Sequence, residues 1–160
     1  IDDRWLYDQE DSLEPINEIN LSEQKPIISF KGKDLSIVAS GYSSYLAREA
    51  AEKLKKINVF AEIIDIRVLN PLHSDVILNS VKKTKNLLVV DSGWTSNGFS
   101  GEIIAKVIEK LPVNLLDNPP VRIALPDAPA PASKILEKKY YTKTNDLVEA
   151  TKKMLKINKK

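Results

Sequence analysis

The chain has 160 residues, of which 42% are hydrophobic and 29% are charged, and its formal net charge is +2. These proportions are typical of one globular domain and argue against a disordered chain. No apolar run approaches the roughly 20 residues of a membrane-spanning helix, and the acidic N-terminal stretch does not resemble a signal peptide. The chain has no cysteine, which excludes disulfides and thiolate metal sites. We therefore expect a soluble, cytoplasmic protein without a membrane partner.

Charge is distributed unevenly along the chain. Residues 1–26 carry eight acidic and two basic side chains, whereas residues 134–160 carry nine lysines and three acidic side chains. The two ends could attract each other or partners of opposite charge, but a solvated lysine-rich helix face explains the basic end more simply. Arginines are not interleaved with these lysines, so nucleic acid is not an expected partner. The first residue is Ile1 and not Met, which indicates a processed chain or a piece of a longer one.

Residues 1–26 show no sustained periodicity, and we interpret them as an acidic linker or arm from a missing upstream domain. In the remainder, short apolar or β-branched runs predict strands, and apolar residues spaced three or four apart predict helices. In chain order these are strands at 26–30 and 34–40, a helix at 42–57, a strand at 58–69, a helix at 74–84 with Ser74 as N-cap, a strand at 86–92, a helix at 99–110, a strand at 120–125 and a helix at 145–157.

Strands that alternate with amphipathic helices, and that are apolar on both faces, predict a largely parallel sheet covered on both sides by helices. The expected fold class is therefore α/β, with three α/β/α layers around a five-stranded, mostly parallel sheet. Residues 27–160 form this single domain. The helices are marked by apolar spacing at Leu46, Ala50, Leu54 and Ile57, which share a stripe, at Phe99, Ile103, Val107 and Ile108, and at Leu147, Ala150, Met154 and Ile157, which are predicted to face inward.

A glycine-rich stretch, DSGWTSNGFSGEI at 91–103, lies between a predicted strand and a helix. Backbone amides at such a place could hold a phosphate. The spacing of Gly93, Gly98 and Gly101 matches neither common phosphate-binding motif, which favours a tight turn with close helix packing. A stand-alone α/β module that binds an anion or nucleotide here remains an alternative. Trp94 is expected to cover the sheet edge or an interface.

Few side chains are suited to catalysis. His73 is the single histidine, so zinc binding is improbable and a proton-transfer role has no partner fixed by the sequence. Asp65 and Arg67 end a predicted strand, at the edge where α/β sheets usually hold functional groups. Positioning a loop or forming a subunit contact is the favoured role for this pair. No nucleophile motif surrounds the serines at 92, 96 and 100.

Five stretches resemble, in the same order, the C-terminal domain of the transketolase superfamily, and most of all the β subunit of the E1 component of 2-oxo acid dehydrogenases. They are DRWLYD, DLSIVASGYSSYLAREAAEKL, AEIIDIRVLNPL, KNLLVVDSGWTSNGFSGEI and VRIALPDAPAPASKILEKKYY. The resemblance covers nearly the whole chain. It implies that the first strand of the sheet runs antiparallel to its neighbour. C-terminal domains of transketolases and deoxyxylulose-phosphate synthases are alternatives within the superfamily.

The resemblance also implies a chemistry and a set of partners. Such enzymes use thiamine diphosphate and Mg²⁺ to decarboxylate a 2-oxo acid, and they pass the acyl group to lipoamide on the E2 lipoyl acyltransferase. The implied partners are an E1 α subunit, a second β subunit and E2. The coenzyme lies on other domains of these enzymes, so the resemblance assigns no catalytic, cofactor-binding or metal-binding residue to this chain.

What carries over to this chain is structural or interfacial. The matching positions form a D-x-R-x-x-x-P strand end, a glycine–tryptophan turn and a D-x-P-x-P corner: Asp65, Arg67, Pro71, Gly93, Trp94, Gly98, Asp127, Pro129 and Pro131. The chain departs from the family at His73, where an aspartate is usual, and in its lysine-rich tail. Because proline fixes the backbone, we expect the corner to present a subunit contact at little cost in entropy.

Overall fold

The computed structural model describes residues 6–7, 9–10, 12, 15 and 18–157. Within these residues the chain forms one five-stranded sheet and five α-helices. The strands are β1 (Ile27–Phe30), β2 (Leu35–Ala39), β3 (Ala61–Asp65), β4 (Leu87–Trp94) and β5 (Val121–Leu125). The helices are α1 (Tyr42–Lys55), α2 (Asp75–Thr84), α3 (Phe99–Lys110), α4 (Lys134–Tyr140) and α5 (Thr144–Met154). None of the helices in the described part of the chain is long and apolar enough to cross a membrane.

The strands lie in the order β1-β3-β2-β4-β5. β1 pairs with β3 in antiparallel fashion, whereas β2, β3, β4 and β5 are parallel to their neighbours. The predicted fold class is therefore confirmed, and so is the antiparallel first strand. Because four strands are parallel, their carboxyl ends meet at one edge of the sheet, where the chain turns at residues 40, 66, 95 and 126.

Alternating side chains of the strands face two separate apolar layers. Ile37, Ile63 and Leu88 point to one side and pack with α1 and α5. Their neighbours in sequence, Val38, Ile64 and Val89, point to the other side and pack with α2 and α3. This arrangement explains why the strands read as continuous apolar runs.

Several predicted boundaries and orientations are wrong. The strand predicted at 58–69 is only Ala61–Asp65, and α5 ends at Met154. Because α1 ends at Lys55, Ile57 leaves the helical stripe and is 42% exposed. Ser74 occupies the N-cap position of α2 but makes no capping hydrogen bond; its hydroxyl accepts a hydrogen bond from Lys110 instead.

A buried carboxylate joins β3 to its surroundings near the amino ends of the parallel strands. Glu62 is 1% exposed and accepts hydrogen bonds from Ser80 Oγ at 2.7 Å, Lys83 Nζ at 2.5 Å and the backbone N–H of Gly32 at 3.3 Å. Burial raises the pKa of Glu62, but the hydrogen bonds from Lys83, Ser80 and Gly32 outweigh it and hold the pKa below its ordinary value. The ionised carboxylate therefore ties the turn before β2 to α2.

Gly32 is required in this turn because its Cα lies against the backbone of β3. A Cβ at this position would be 2.2 Å from the carbonyl carbon of Ala61 and 2.4 Å from the backbone nitrogen of Glu62. No side chain fits at such distances. The turn predicted from Gly32 is thus fixed by close approach of two backbones.

Replacing Glu62 by Gln removes the negative charge, and we expect the free energy of unfolding to fall by about 1–3 kcal/mol at neutral pH. The matched control is Glu102→Gln, since Glu102 is 53% exposed and pairs with Lys106 on the surface, where a pair contributes less than about 1 kcal/mol. Urea denaturation measures both variants.

The loss of stability caused by Glu62→Gln should depend on pH. A lowered carboxylate pKa stabilises the fold above the ordinary value of 4.5, and this stabilisation is lost as the pH falls through the lowered pKa. The difference in stability between wild type and Glu62→Gln should therefore narrow in acid. A difference that is independent of pH, or no larger than that of Glu102→Gln, would contradict the assignment.

Candidate functional site

The corner after β5 is fastened to the turn after β4 at the carboxyl edge of the sheet. Asp127 accepts two hydrogen bonds from Ser96, at 2.8 Å from the backbone N–H and 2.7 Å from Oγ. The carbonyl of Leu125 accepts hydrogen bonds from the N–H and hydroxyl of Thr95. Hydrogen bonds from the Ser96 hydroxyl and then its N–H lower the pKa of Asp127 below its ordinary value. Asp127 therefore links the corner after β5 to the turn after β4.

Tyr140 forms a second connection between these loops and α4. Its hydroxyl accepts a hydrogen bond from Trp94 Nε1 at 3.1 Å and donates one to the carbonyl of Ala128 at 2.6 Å. Trp94 is the last residue of β4, at the carboxyl ends of the parallel strands, and is 52% exposed. The hydroxyl of Tyr140 holds the end of α4 against β4 and the proline-rich corner.

Helix α4 presents apolar side chains to solvent. No residue of α4 is buried, and Ile135 and Leu136 are 73% and 54% exposed. Pro129 is exposed and Pro131 half-buried, and both lie just before the helix. We call Trp94, Ile135 and Leu136, with the two prolines, the corner surface. The corner surface thus combines exposed apolar side chains with segments that hydrogen bonds hold in place.

The glycine-rich turn is occupied by a carboxylate of the chain itself. Asp91 accepts a hydrogen bond from the backbone N–H of Gly93 at 2.8 Å and another from the N–H of Ser100, in the first turn of α3, at 2.8 Å. The position where a phosphate would bind is therefore taken by Asp91. This geometry contradicts an anion site at the turn and supports the structural role that the sequence favoured for these glycines.

The strand end at Asp65, Arg67 and Pro71 does not form a single cluster. Asp65 accepts a hydrogen bond from Ser44 Oγ of α1 at 2.7 Å. Arg67 donates to the side chain of Gln24 at 3.1 Å, and the peptide bond before Pro71 is cis. These contacts join the strand end to α1 and to Gln24.

His73 also contacts a residue of the N-terminal segment. Its Nε2 lies 2.6 Å from the carbonyl oxygen of Ser22. Together with the Arg67–Gln24 hydrogen bond, this contact holds residues 22–24 against the loop after β3. His73 is thus a structural side chain in this geometry. The first five residues, which include part of the DRWLYD stretch, lie outside the described residues.

Sequence reasoning missed α4 as a separate element, and with it Ile135, Leu136 and Tyr140. Seven residues are too few to show a helical period. Two weaker signals were present, namely Ser133 at the N-cap position after a proline-rich stretch and the adjacent apolar pair. The partner of Asp127, Ser96, lies 31 residues away and has no local signature.

Two features of the described residues bear on where a metal ion or an anion could bind. Within them, no three His, Asp or Glu side chains lie close enough together to hold a metal. The N-terminus of α3 already binds the carboxylate of Asp91. At the carboxyl edge, hydrogen bonds thus fix the turn after β4, the corner after β5 and the end of α4.

Comparison with known proteins gives one family match. Residues 25–147 match the model of the transketolase C-terminal domain. The mitochondrial pyruvate dehydrogenase E1 component subunit beta of Dictyostelium discoideum is 36% identical over 156 residues, which cover 96% of this chain and 42% of that protein. The Saccharomyces cerevisiae protein of the same name is 39% identical over 134 residues, 83% of this chain and 37% of that protein.

Solved structures agree on the fold. A split-gene transketolase, described as an inactive β4 tetramer, superposes with a TM-score of 0.75 at 24% identity and covers 94% of this chain and 48% of its own. The chain thus spans about two fifths of the curated relatives above. The expectation of a cytoplasmic location is wrong, because those relatives are mitochondrial. The division of the chain at residue 26 stays a prediction.

The glycine-rich turn yields a test with an internal control. A Cβ on Gly98 would lie 2.1 Å from the carbonyl oxygen of Trp94 and 2.9 Å from Asp91 Oδ2, so Gly98→Ala should lower the free energy of unfolding by about 1–3 kcal/mol. At Gly101 the nearest atom would be Arg122 Nη1 at 3.7 Å, so Gly101→Ala, inside α3, should raise it by about 0.5–1 kcal/mol. Urea denaturation distinguishes these signs, and equal effects of the two substitutions would refute the assignment.

Proposed function

The chain belongs to the transketolase C-terminal domain family, and from that membership we propose that it is the assembly domain of a 2-oxo acid dehydrogenase E1 β subunit. The β-subunit relatives, 36% and 39% identical, support this assignment. In the proposal, the whole complex decarboxylates a 2-oxo acid with thiamine diphosphate and Mg²⁺ and transfers the acyl group to lipoyl groups of E2. We propose the same mitochondrial location for this chain as for those relatives.

The corner surface is the observation that carries the proposal. Its apolar side chains are exposed, yet hydrogen bonds of Tyr140 and Asp127 fix the segments that bear them. A surface that is ordered before binding loses little conformational entropy when a partner covers it. Tryptophan and large aliphatic side chains in such a place are typical of an interface core. The E1 α subunit is the proposed partner of the corner surface, and a second β subunit is a further proposed member of the assembly.

The carboxylates at the carboxyl edge bear on where the coenzyme binds in the proposed assembly. Asp65, Asp91 and Asp127, at the carboxyl edge, all accept hydrogen bonds from donors of the chain itself. In the proposal, coenzyme and metal bind to other parts of the assembly. This chain contributes contacts that bring those parts together. E2 is a further proposed partner, with no residue of this chain assigned to it.

Substitution of the apolar pair on α4 tests the proposal. We expect Ile135→Ser with Leu136→Ser to weaken association with the E1 α subunit at least tenfold, because side chains at the centre of an interface carry most of its binding energy. The stability of the chain should change little, since both side chains are exposed. Co-expression followed by native mass spectrometry and sedimentation measures the association.

The matched control is Ile57→Ser. Ile57 is 42% exposed and follows α1 at the opposite edge of the sheet, so its substitution should leave association unchanged. Association that is unaffected by the double substitution, or weakened equally by Ile57→Ser, would contradict the proposal.

A further inference from the structure

A second feature of the carboxyl edge is a cleft beside the corner surface. Its volume is about 1070 Å³, and it is bordered by the segments that follow β2 and β3, by the last residues of β4 and β5, and by α4 with the segment 141–143. Clefts of this order of size hold small molecules in many proteins. In parallel α/β sheets, ligands bind outside the carboxyl ends of the strands. The cleft therefore lies where this architecture places ligands.

The inner wall of the cleft is apolar and partly aromatic. Leu46, Ile66 and Leu125 are buried and line it. Tyr42, at the start of α1, and Tyr141, just after α4, line it as well. Aromatic rings and aliphatic side chains favour a planar, apolar group by contact and stacking.

Cationic side chains line the same cleft. Arg67, Lys134, Lys138 and Lys143 all contribute to it. Among the described residues, the ion pairs formed are Glu62–Lys83, Glu102–Lys106 and Glu149–Lys152, so none of these four cations is neutralised by a salt bridge there. Arg67 also donates a hydrogen bond to the uncharged side chain of Gln24, which leaves its charge in place.

Two carboxylates also line the cleft, but they do not cancel this charge. Both oxygens of Asp91 accept hydrogen bonds from backbone N–H groups, those of Gly93 and Ser100. Glu137 is the other carboxylate of the lining. The cleft is lined by four cationic and two anionic side chains, so its formal charge stays positive.

Helix α4 separates this cleft from the corner surface. Lys134, Lys138 and Tyr141 follow one another at helical spacing and line the cleft. Ile135 and Leu136 belong to the corner surface and do not line the cleft. Substitutions on the two sides of α4 therefore test different properties.

We propose that the cleft binds a small organic anion with a planar, apolar body and a phosphate or carboxylate group. The body packs on the tyrosines and the aliphatic wall, and the anionic group is bound by Lys134 and Lys138 with Arg67 or Lys143. This site is distinct from the glycine-rich turn, and it does not depend on the assembly role proposed above.

Titration with AMP, adenosine and inorganic phosphate tests the site. Adenosine has the planar ring system without the phosphate, and inorganic phosphate is the anionic group without the ring system. Binding is followed on the folded chain by calorimetry and by backbone amide shifts in NMR spectra. AMP should bind more tightly than either part and shift amides at residues 40–43, 91–93 and 134–143, the segments that line the cleft. Its affinity should fall with added salt.

Charge removal on α4 supplies the decisive comparison. Lys134→Gln with Lys138→Gln should weaken AMP binding at least tenfold, in line with the loss of charge-assisted hydrogen bonds. Lys55→Gln with Lys56→Gln removes the same charge at the end of α1 and should have no effect. The proposal is overturned if AMP does not bind at millimolar concentrations, if adenosine binds equally well, or if both pairs of substitutions act alike.

The test of the cleft and the test of the corner surface use different substitutions, so one proposal can fail without the other. Lys134→Gln with Lys138→Gln should leave association with the E1 α subunit intact, while Ile135→Ser with Leu136→Ser should leave AMP binding intact. Loss of AMP binding in the assembled complex, with binding retained in the separate chain, would show that a partner subunit occupies the cleft and would overturn a small-molecule role there.

Discussion

The hydroxyl of Tyr140 is the contact on which the carboxyl edge depends most. Helix α4 has seven residues and no buried side chain, and so short a helix is not stable by itself in water. Tyr140 connects it to Trp94 and Ala128, and the Asp127–Ser96 hydrogen bonds hold the adjoining corner. These contacts help to hold the exposed Ile135 and Leu136 in place. The same helix, held at this angle, closes one side of the cationic cleft.

Most of the fold follows from the sequence because it rests on local, repeated signals. The β-branched runs around Ile37, Ile63 and Val89 are apolar on both faces, and each proved to contact helices on both sides of the sheet. Element ends were less predictable. Ile57 continues the apolar spacing of α1 but lies beyond the helix, since the backbone turns after Lys55. Nothing in the spacing of side chains marks that turn.

The site was less predictable, for a physical reason. Asp127 and Ser96 are far apart in sequence, and so are Trp94 and Tyr140; their hydrogen bonds exist only after β4 and β5 pair. Asp91 was overlooked because a carboxylate before a glycine-rich turn is ambiguous until its partners, Gly93 and Ser100, are seen. The resemblance to a family indicated which positions matter, including Asp127 and Trp94. The structure then supplied the contacts of these residues.

Hydrogen–deuterium exchange on the chain alone and in complex with the proposed E1 α subunit tests the central claim most directly, namely that the corner surface is a contact surface. The account predicts that amides of residues 94–96 and 134–140 exchange more slowly in the complex, while those around Glu62, at the opposite edge, do not change. A complex that forms without added protection of residues 134–140, or with protection confined to the opposite edge, would contradict the account.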